Sequence, residues 1–153
     1  MKDNAYLWLI PKESPQTLVV GECQRHVKEE DFENIEKWLK FWKPNDIFIR
    51  DMYPSTGLVI YDSYTNTDLY VGFLWLSNSK LAQIGFIVRN PYTKIKNKQT
   101  LELLINGLFL YAKELGYEYI MTWAESSSIK NACESLEMIK TSDKVSEYII
   151  KIN

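Results

Sequence analysis

The strongest pattern in the chain is a short apolar run followed by a long helical period. The run Leu81–Arg89 is rich in Ile, Val and Phe, which predicts a strand. Asn90–Pro91 ends it, because proline cannot donate to a sheet ladder. Beyond a polar loop, apolar residues recur at the spacing of one buried helical face: Leu101, Leu104, Ile105, Leu108, Phe109 and Ala112. The pattern predicts a helix that begins near Asn97 or Thr100 and stops at Gly116.

The loop between this strand and this helix predicts an anion site. The first backbone N–H groups of a helix have no intrahelical acceptor, so a helix start favours anions, phosphate in particular. Lys94, Lys96 and Lys98 add positive charge at the same place. The alternative interpretation is a solvated lysine loop that only connects two core elements.

The remaining segments are short strands and amphipathic helices, with no repeat and no linker long enough to divide the chain. Before the central unit, the sequence predicts strands at 5–10 and 17–21, a helix at 28–43, an extended segment at 45–51, and meander strands at 57–61 and 68–76. After it, the sequence predicts a strand at 117–123, a helix at 126–135, and closing strands at 137–139 and 145–152 around residues 141–143. This order predicts one α/β sandwich domain over 1–153, with a mixed sheet and a parallel crossover after the central strand.

Composition narrows the class of protein. The chain has 153 residues, which suits one domain with its own core, and a net charge of −2 gives no argument for nucleic acid or a membrane. Cys23 and Cys133 form neither a metal-ligand spacing nor a disulfide framework, so we expect no metal and a reduced, cytoplasmic protein. The apolar run at 5–10 is too short to span a bilayer.

Over residues 58–152 the order of elements resembles the GNAT superfamily of acyl-CoA-dependent N-acetyltransferases. Residues 82–91 resemble the family's fourth strand and its exit, and residues 126–138 resemble the segment written N-x-x-A-x-x-x-Y-x-x-x-G-F. The resemblance implies a mixed, mostly antiparallel sheet with helices on both faces. It also implies acetyl-CoA as cofactor, with the pantetheine arm in the gap where the fourth and fifth strands part.

The same resemblance implies which residues bind the cofactor. The loop motif [QR]-x-x-G-x-[GA] falls on residues 95–100, where both glycines are replaced, so lysine charge should supply more of the affinity. The implied residues come from the strand, the loop and the starts of the two following helices: Phe86, Ile87, Val88, Lys94, Lys96, Asn97, Lys98, Gln99, Thr100 and Ser126.

The resemblance implies three positions for acid–base chemistry. Gln83 stands where several members place a glutamate base, although an amide cannot take a proton. Cys133 falls where the family often has a tyrosine acid, and a buried core residue is the other interpretation. Glu125 follows the fifth strand, where it could bind or deprotonate an amine, or be a plain exposed carboxylate.

Two functions therefore stay open: acetyl transfer from acetyl-CoA to an amine, and a catalytically inactive GNAT-fold structural or binding protein. The sequence does not specify the acceptor, which could be a small molecule or a protein amine. Aromatic residues are plentiful, and Tyr61, Tyr64 and Tyr70 cluster around the meander turn, which suggests a homodimer.

Overall fold

A computed structural model describes residues 3–9, 19–124 and 126–145. Seven strands form one sheet, and α-helices pack on its two faces. The strands are β1 Asp3–Leu9, β2 Glu22–His26, β3 Gly57–Asp62, β4 Thr67–Trp75, β5 Leu81–Arg89, β6 Tyr119–Ala124 and β7 Ile139–Val145. The helices are α1 Phe32–Trp42, α2 Thr100–Glu114 and α3 Ser127–Ser135, with 3-10 turns at Glu29–Asp31 and Arg50–Met52.

The sheet is mixed but mostly antiparallel, as predicted. Its strand order is β2-β3-β4-β5-β6-β1-β7. Among the strands that the structure describes, β5 and β6 pair in parallel and the other neighbours pair antiparallel. The predicted strand–helix–strand unit is thus present, because α2 connects β5 to a parallel neighbour.

Two apolar layers lie on opposite faces of the sheet. In β3, Leu58 and Ile60 join the layer of α2 and α3, whereas Val59 joins the layer of α1. The six apolar positions that predicted α2 are all buried. Gly72 allows this packing, since an added Cβ would lie 2.8 Å from the nearest methyl of Leu108. The predicted sandwich with helices on both faces is confirmed.

The end of α2 is also as predicted. The Tyr117 N–H donates to the Ala112 carbonyl over 3.1 Å, and the Gly116 N–H donates to the Lys113 carbonyl over 3.0 Å. This is the hydrogen-bond pattern of a Schellman motif, which needs a left-handed residue at the position after the cap. Gly116 has φ +90, a conformation that glycine adopts without a Cβ penalty.

Three predictions in the N-terminal half differ from the structure. The second strand is β2, Glu22–His26; Val20 and Gly21 form the turn before it, and residues 17 and 18 lie outside the described residues. No residue of β2 is buried, so its sequence carries no alternation of apolar and polar positions. The segment 45–51 is a loop that ends in a 3-10 turn, and the helix predicted from residue 28 begins with a 3-10 turn before Phe32.

The predicted C-terminal hairpin is wrong where the structure describes it. Residues 139–145 form a single strand, which continues through the proposed turn at 141–143. The strand continues because it pairs with β1, a neighbour that comes from the other end of the chain. The second closing strand, predicted at 145–152, lies outside the described residues after Val145.

Leu104→Ala should strongly destabilise the fold. Leu104 is fully buried, and its methyls pack against Gly72 on the sheet. Truncating such a leucine leaves a cavity and costs about 2–5 kcal/mol. Urea unfolding should show this loss, while Leu115→Ala at the exposed end of α2 serves as the matched control. Equal midpoints for the two variants would contradict this placement of α2.

Self-association stays a prediction. Tyr64 is 80% exposed in the β3–β4 turn, and the neighbouring edge strand β2 exposes Cys23, Gln24 and His26. An exposed edge and an aromatic surface can pair with a second copy. Sedimentation at high micromolar concentration should detect a dimer; a monomer alone would remove the prediction.

Candidate functional site

The candidate site is a fork in the sheet where β5 and β6 part. Their parallel pairing runs from Leu81 opposite Tyr119 to Ile84 opposite Thr122, and no described pairing continues beyond it. The Thr122 hydroxyl donates to the Ile84 carbonyl over 3.0 Å, in a buried position. The last rung is therefore held by a side chain, and the later backbone of β5 faces the gap.

A bulge in β5 lies just inside the fork. Two residues, Phe86 and Ile87, stand opposite the single residue Gly72 of β4. Phe86 has φ +48, which is uncommon for a bulky side chain and is retained only where packing enforces it. The Phe86 ring is 4.7 Å from the Tyr53 ring and 5.2 Å from the Trp75 ring, centroid to centroid. These contacts fix the bulge, and the bulge changes the direction in which the backbone groups of residues 86–88 point.

The chain leaves β5 through a side-chain-ordered turn. The Asn90 amide donates to the Asp68 carbonyl over 2.8 Å, and its oxygen accepts the Tyr92 N–H over 2.9 Å. Asn90 is buried, so both bonds are protected from solvent. Asn90 therefore fixes the direction in which the lysine loop starts.

The start of α2 combines exposed cations with N–H groups that the helix leaves without acceptors. Gln99 is the N-cap residue and makes no side-chain cap bond, whereas the Asn97 side chain accepts the Gln99 N–H over 2.8 Å just outside the helix. Gln99 and three lysines expose their side chains to solvent: Lys94, Lys96 and Lys98. Exposed lysines close in sequence to a helix start favour an anion there.

Thr100 differs from the other loop residues because its side chain is buried. Its hydroxyl donates to the Glu22 carboxylate, at 2.7 and 2.8 Å from the two oxygens. Burial raises the pKa of Glu22, and the bond from Thr100 acts in the opposite direction. The Thr100 hydroxyl thus joins β2 to α2. The anion site predicted at the start of α2 would therefore use backbone N–H groups and not this hydroxyl.

Of the other site residues predicted from sequence, the structure describes Gln83, Ser126 and Cys133. Gln83 is half-buried, paired with Trp75 on one side and Met121 on the other. Ser126 is the N-cap of α3, and its hydroxyl oxygen accepts the Ile129 N–H over 3.2 Å. Glu125 lies outside the described residues. Gln83 thus precedes the bulge on β5, and Ser126 opens the helix that follows β6.

Cys133 is fully buried on the inner face of α3. Burial raises the pKa of its thiol to about 12, and the charge of Glu134 acts in the same direction. An ordinary thiol has a pKa of about 8.5, so a group that holds its proton this strongly is a poor acid toward a leaving thiolate. The geometry supports the core interpretation of Cys133.

The sequence carries no sign of the contacts that hold the 3-10 turn Arg50–Met52 and the residue after it, Tyr53. The Arg50 guanidinium donates to Glu29 over 2.8 Å and to the Tyr53 carbonyl over 2.9 Å. It also lies 3.6 Å from the centre of the Phe32 ring. Arg50 thereby positions Tyr53, whose ring packs on Phe86. No sequence signal marks these contacts, because each one joins separate segments.

Two further observations concern metal ligands and membrane spans. Within residues 3–9, 19–124 and 126–145, no group of three or more His, Cys, Asp or Glu side chains is placed to hold a metal ion. Of the helices described, none has the length and apolar content needed to cross a membrane.

The two cysteines should differ sharply in reactivity. Cys23 is exposed, whereas Cys133 is buried with a raised pKa, so little thiolate forms at Cys133 near pH 8. A colorimetric disulfide reagent should modify one thiol quickly and the second only in denaturant. Cys23→Ser should remove the fast phase; a fast phase that survives in this variant would place Cys133 at the surface.

Among the comparisons with known proteins, only the comparison with solved structures found matches, and these support the fold. No family model matches the sequence, and no curated protein matches it. A GCN5-related N-acetyltransferase from Kribbella flavida matches with a TM-score of 0.64 and 10% identity, over 94% of this chain and 56% of that one. One from Sphaerobacter thermophilus matches with a TM-score of 0.58 and 12% identity, over 92% of this chain and 49% of that one.

A third match is Saccharomyces cerevisiae N-myristoyltransferase with bound myristoyl-CoA. Its TM-score is 0.62 at 10% identity, over 93% of this chain and 46% of that one. The chain thus spans about half the length of these structural neighbours. The fork and the element order agree with the sequence resemblance, and the chain has the fold of the GNAT acetyltransferases.

Proposed function

We propose that this chain binds an acyl-CoA in the fork, with acetyl-CoA as the donor, and transfers the acyl group to an amine. The observation that carries the proposal is the fork itself: pairing stops after Ile84 and Thr122, and the bulge follows at once. A gap of this kind can admit an extended arm that bonds to the free backbone edge of β5. The neighbour that binds myristoyl-CoA supports a CoA-based donor.

The donor would extend from the fork to the lysine loop. Its pyrophosphate would lie over residues 93–100, held by N–H groups at the start of α2 and by Lys94, Lys96 or Lys98. Ser126, Asn97 and Gln99 stand at the two helix starts that border this path. Because the usual motif glycines are absent, lysine charge supplies a larger share of the affinity.

In the transfer step, the amine nitrogen attacks the thioester carbonyl carbon. A backbone N–H near Ile87 or Val88 polarises the carbonyl oxygen. The N–C bond forms, and the C–S bond breaks to release the thiolate. The amine proton passes to water or to Glu125, and the thiolate takes up a proton from water. Holding both reactants in the fork supplies much of the rate without a strong base.

A second candidate is a GNAT-fold protein without transfer activity, which binds a partner or serves a structural role. Gln83 favours it, because an amide cannot act as the base, and Cys133 favours it because its raised pKa makes it a poor acid. The two candidates differ in whether the chain binds the donor and turns it over. Donor binding is therefore measured first.

Acetyl-CoA binding should depend on loop lysines and on salt. Changing Lys96 and Lys98 together to Ala should remove about 1–2 kcal/mol of exposed charge attraction, or about fivefold to thirtyfold in Kd. Binding of the parent should weaken as salt rises, since the Debye length is about 8 Å at physiological ionic strength. Titration calorimetry at two salt concentrations measures both effects.

The matched control changes Lys37 and Lys40 to Ala. These lysines are equally exposed but pair with Glu33 and Glu36 on α1, so their loss should leave acetyl-CoA binding unchanged. If the parent shows no heat and no thermal shift at low salt, the donor proposal fails. The non-catalytic candidate would then be the better account.

A further inference from the structure

The face of the sheet toward α1 carries an apolar wall beside the fork. Register places Trp75, Gln83 and Met121 in one row across β4, β5 and β6, so their side chains share one face. Trp123 lies two residues beyond Met121 on β6 and therefore points to the same face. The ring of Phe86 packs against Trp75 from the bulge. We call Trp75, Phe86, Met121 and Trp123 the aromatic wall.

In the aromatic wall, the Trp75 ring lies very close to the backbone of Gly85. A Cβ on Gly85 would lie 2.7 Å from the Trp75 ring, so this indole rests directly on the β5 backbone at the fork. Trp75, Met121 and Trp123 are half-buried, as are Phe86 and Gln83, so part of each side chain stays exposed. The wall is thus a surface that a ligand can reach, and it borders the backbone that would hold the thioester.

The wall carries no charge. Its four members are apolar, and the polar group in its rows, Gln83, is a neutral amide that cannot take a proton. An alkylammonium placed on these residues would lose hydration without gaining a counter-charge from any of them, and it would also have to lose a proton before attacking. A neutral aromatic amine meets neither difficulty, and its ring can stack on tryptophan. The neutral wall is complementary to a neutral ligand.

We infer that the acceptor is a weakly basic amine attached to an aromatic ring, with the ring on the aromatic wall and the nitrogen directed to the fork. The inference rests on the proposed acyl transfer. The amine is already unprotonated, so its lone pair forms the N–C bond as the C–S bond breaks. The proton then released by nitrogen passes through water to the thiolate, which gives the amide and free CoA.

Two isomeric amines test this acceptor class. 4-Methylaniline and benzylamine share one formula and one ring, but only the first is weakly basic. With acetyl-CoA, kcat/KM at pH 7 should be at least tenfold higher for 4-methylaniline, followed as free thiol and as N-acetyl product against an enzyme-free blank. Its rate should change little from pH 7 to 9, while any benzylamine rate should rise.

Variants assign the effect to the wall. Trp123→Ser should raise KM for 4-methylaniline at least fivefold, and Trp123→Phe should largely restore it. Tyr64→Ser, an exposed aromatic change in the β3–β4 turn, is the control and should behave like the parent. Circular dichroism and melting confirm that each variant folds. Gln83→Glu, which adds a base beside the wall, should raise the benzylamine rate more than the 4-methylaniline rate.

Three results would overturn the inference. The first is a preference for benzylamine that Glu125→Gln abolishes, since Glu125 would then be the base for a strongly basic acceptor. The second is bound acetyl-CoA with neither isomer acetylated, which leaves donor binding intact. The third is Trp123→Ser with an unchanged KM. Absence of acetyl-CoA binding would instead remove the proposed function, and the acceptor class with it.

Discussion

The end of the parallel pairing between β5 and β6 is the constraint on which the candidate site depends. A parallel pair needs a crossover on one face, and α2 supplies it with a mostly apolar inner side. Once the strands are held together at Ile84 and Thr122, their continuations are free to separate. The buried bond from the Thr122 hydroxyl fixes where the separation begins. The position of the gap is therefore set by the core and does not require a ligand.

The geometry inside the gap depends on contacts from the other face. Phe86 keeps a left-handed backbone conformation, which is costly for a bulky residue unless neighbours enforce it. Tyr53 and Trp75 do so through ring contacts, and Arg50 holds Tyr53 through its carbonyl. The loop that ends at Tyr53 thus helps to orient the β5 backbone. A change at Arg50 would act on the fork although Arg50 does not face it.

Local patterns predicted the parts of the fold that local physics determines. The β5 strand, the buried face of α2 and the Gly116 stop each follow from residues close in sequence. The edge strand β2 and the unbroken β7 did not, because pairing with a distant neighbour decides them. The same reason applies at the site: the lysine loop was predictable, whereas the Trp75 ring over Gly85 depends on register between two strands.

Electrostatics divide the candidate site into two unlike halves. Exposed lysines precede the start of α2, which favours a multiply charged anion but makes the attraction sensitive to salt. Beside the fork, the aromatic wall has no charge, and Gln83 adds a dipole without adding basicity. A ligand that spans both halves would have a charged end held by screened interactions and a neutral end held by apolar contact. Salt would then weaken donor binding more than acceptor binding. The two halves of the site can therefore be told apart by measuring the salt dependence of each binding step.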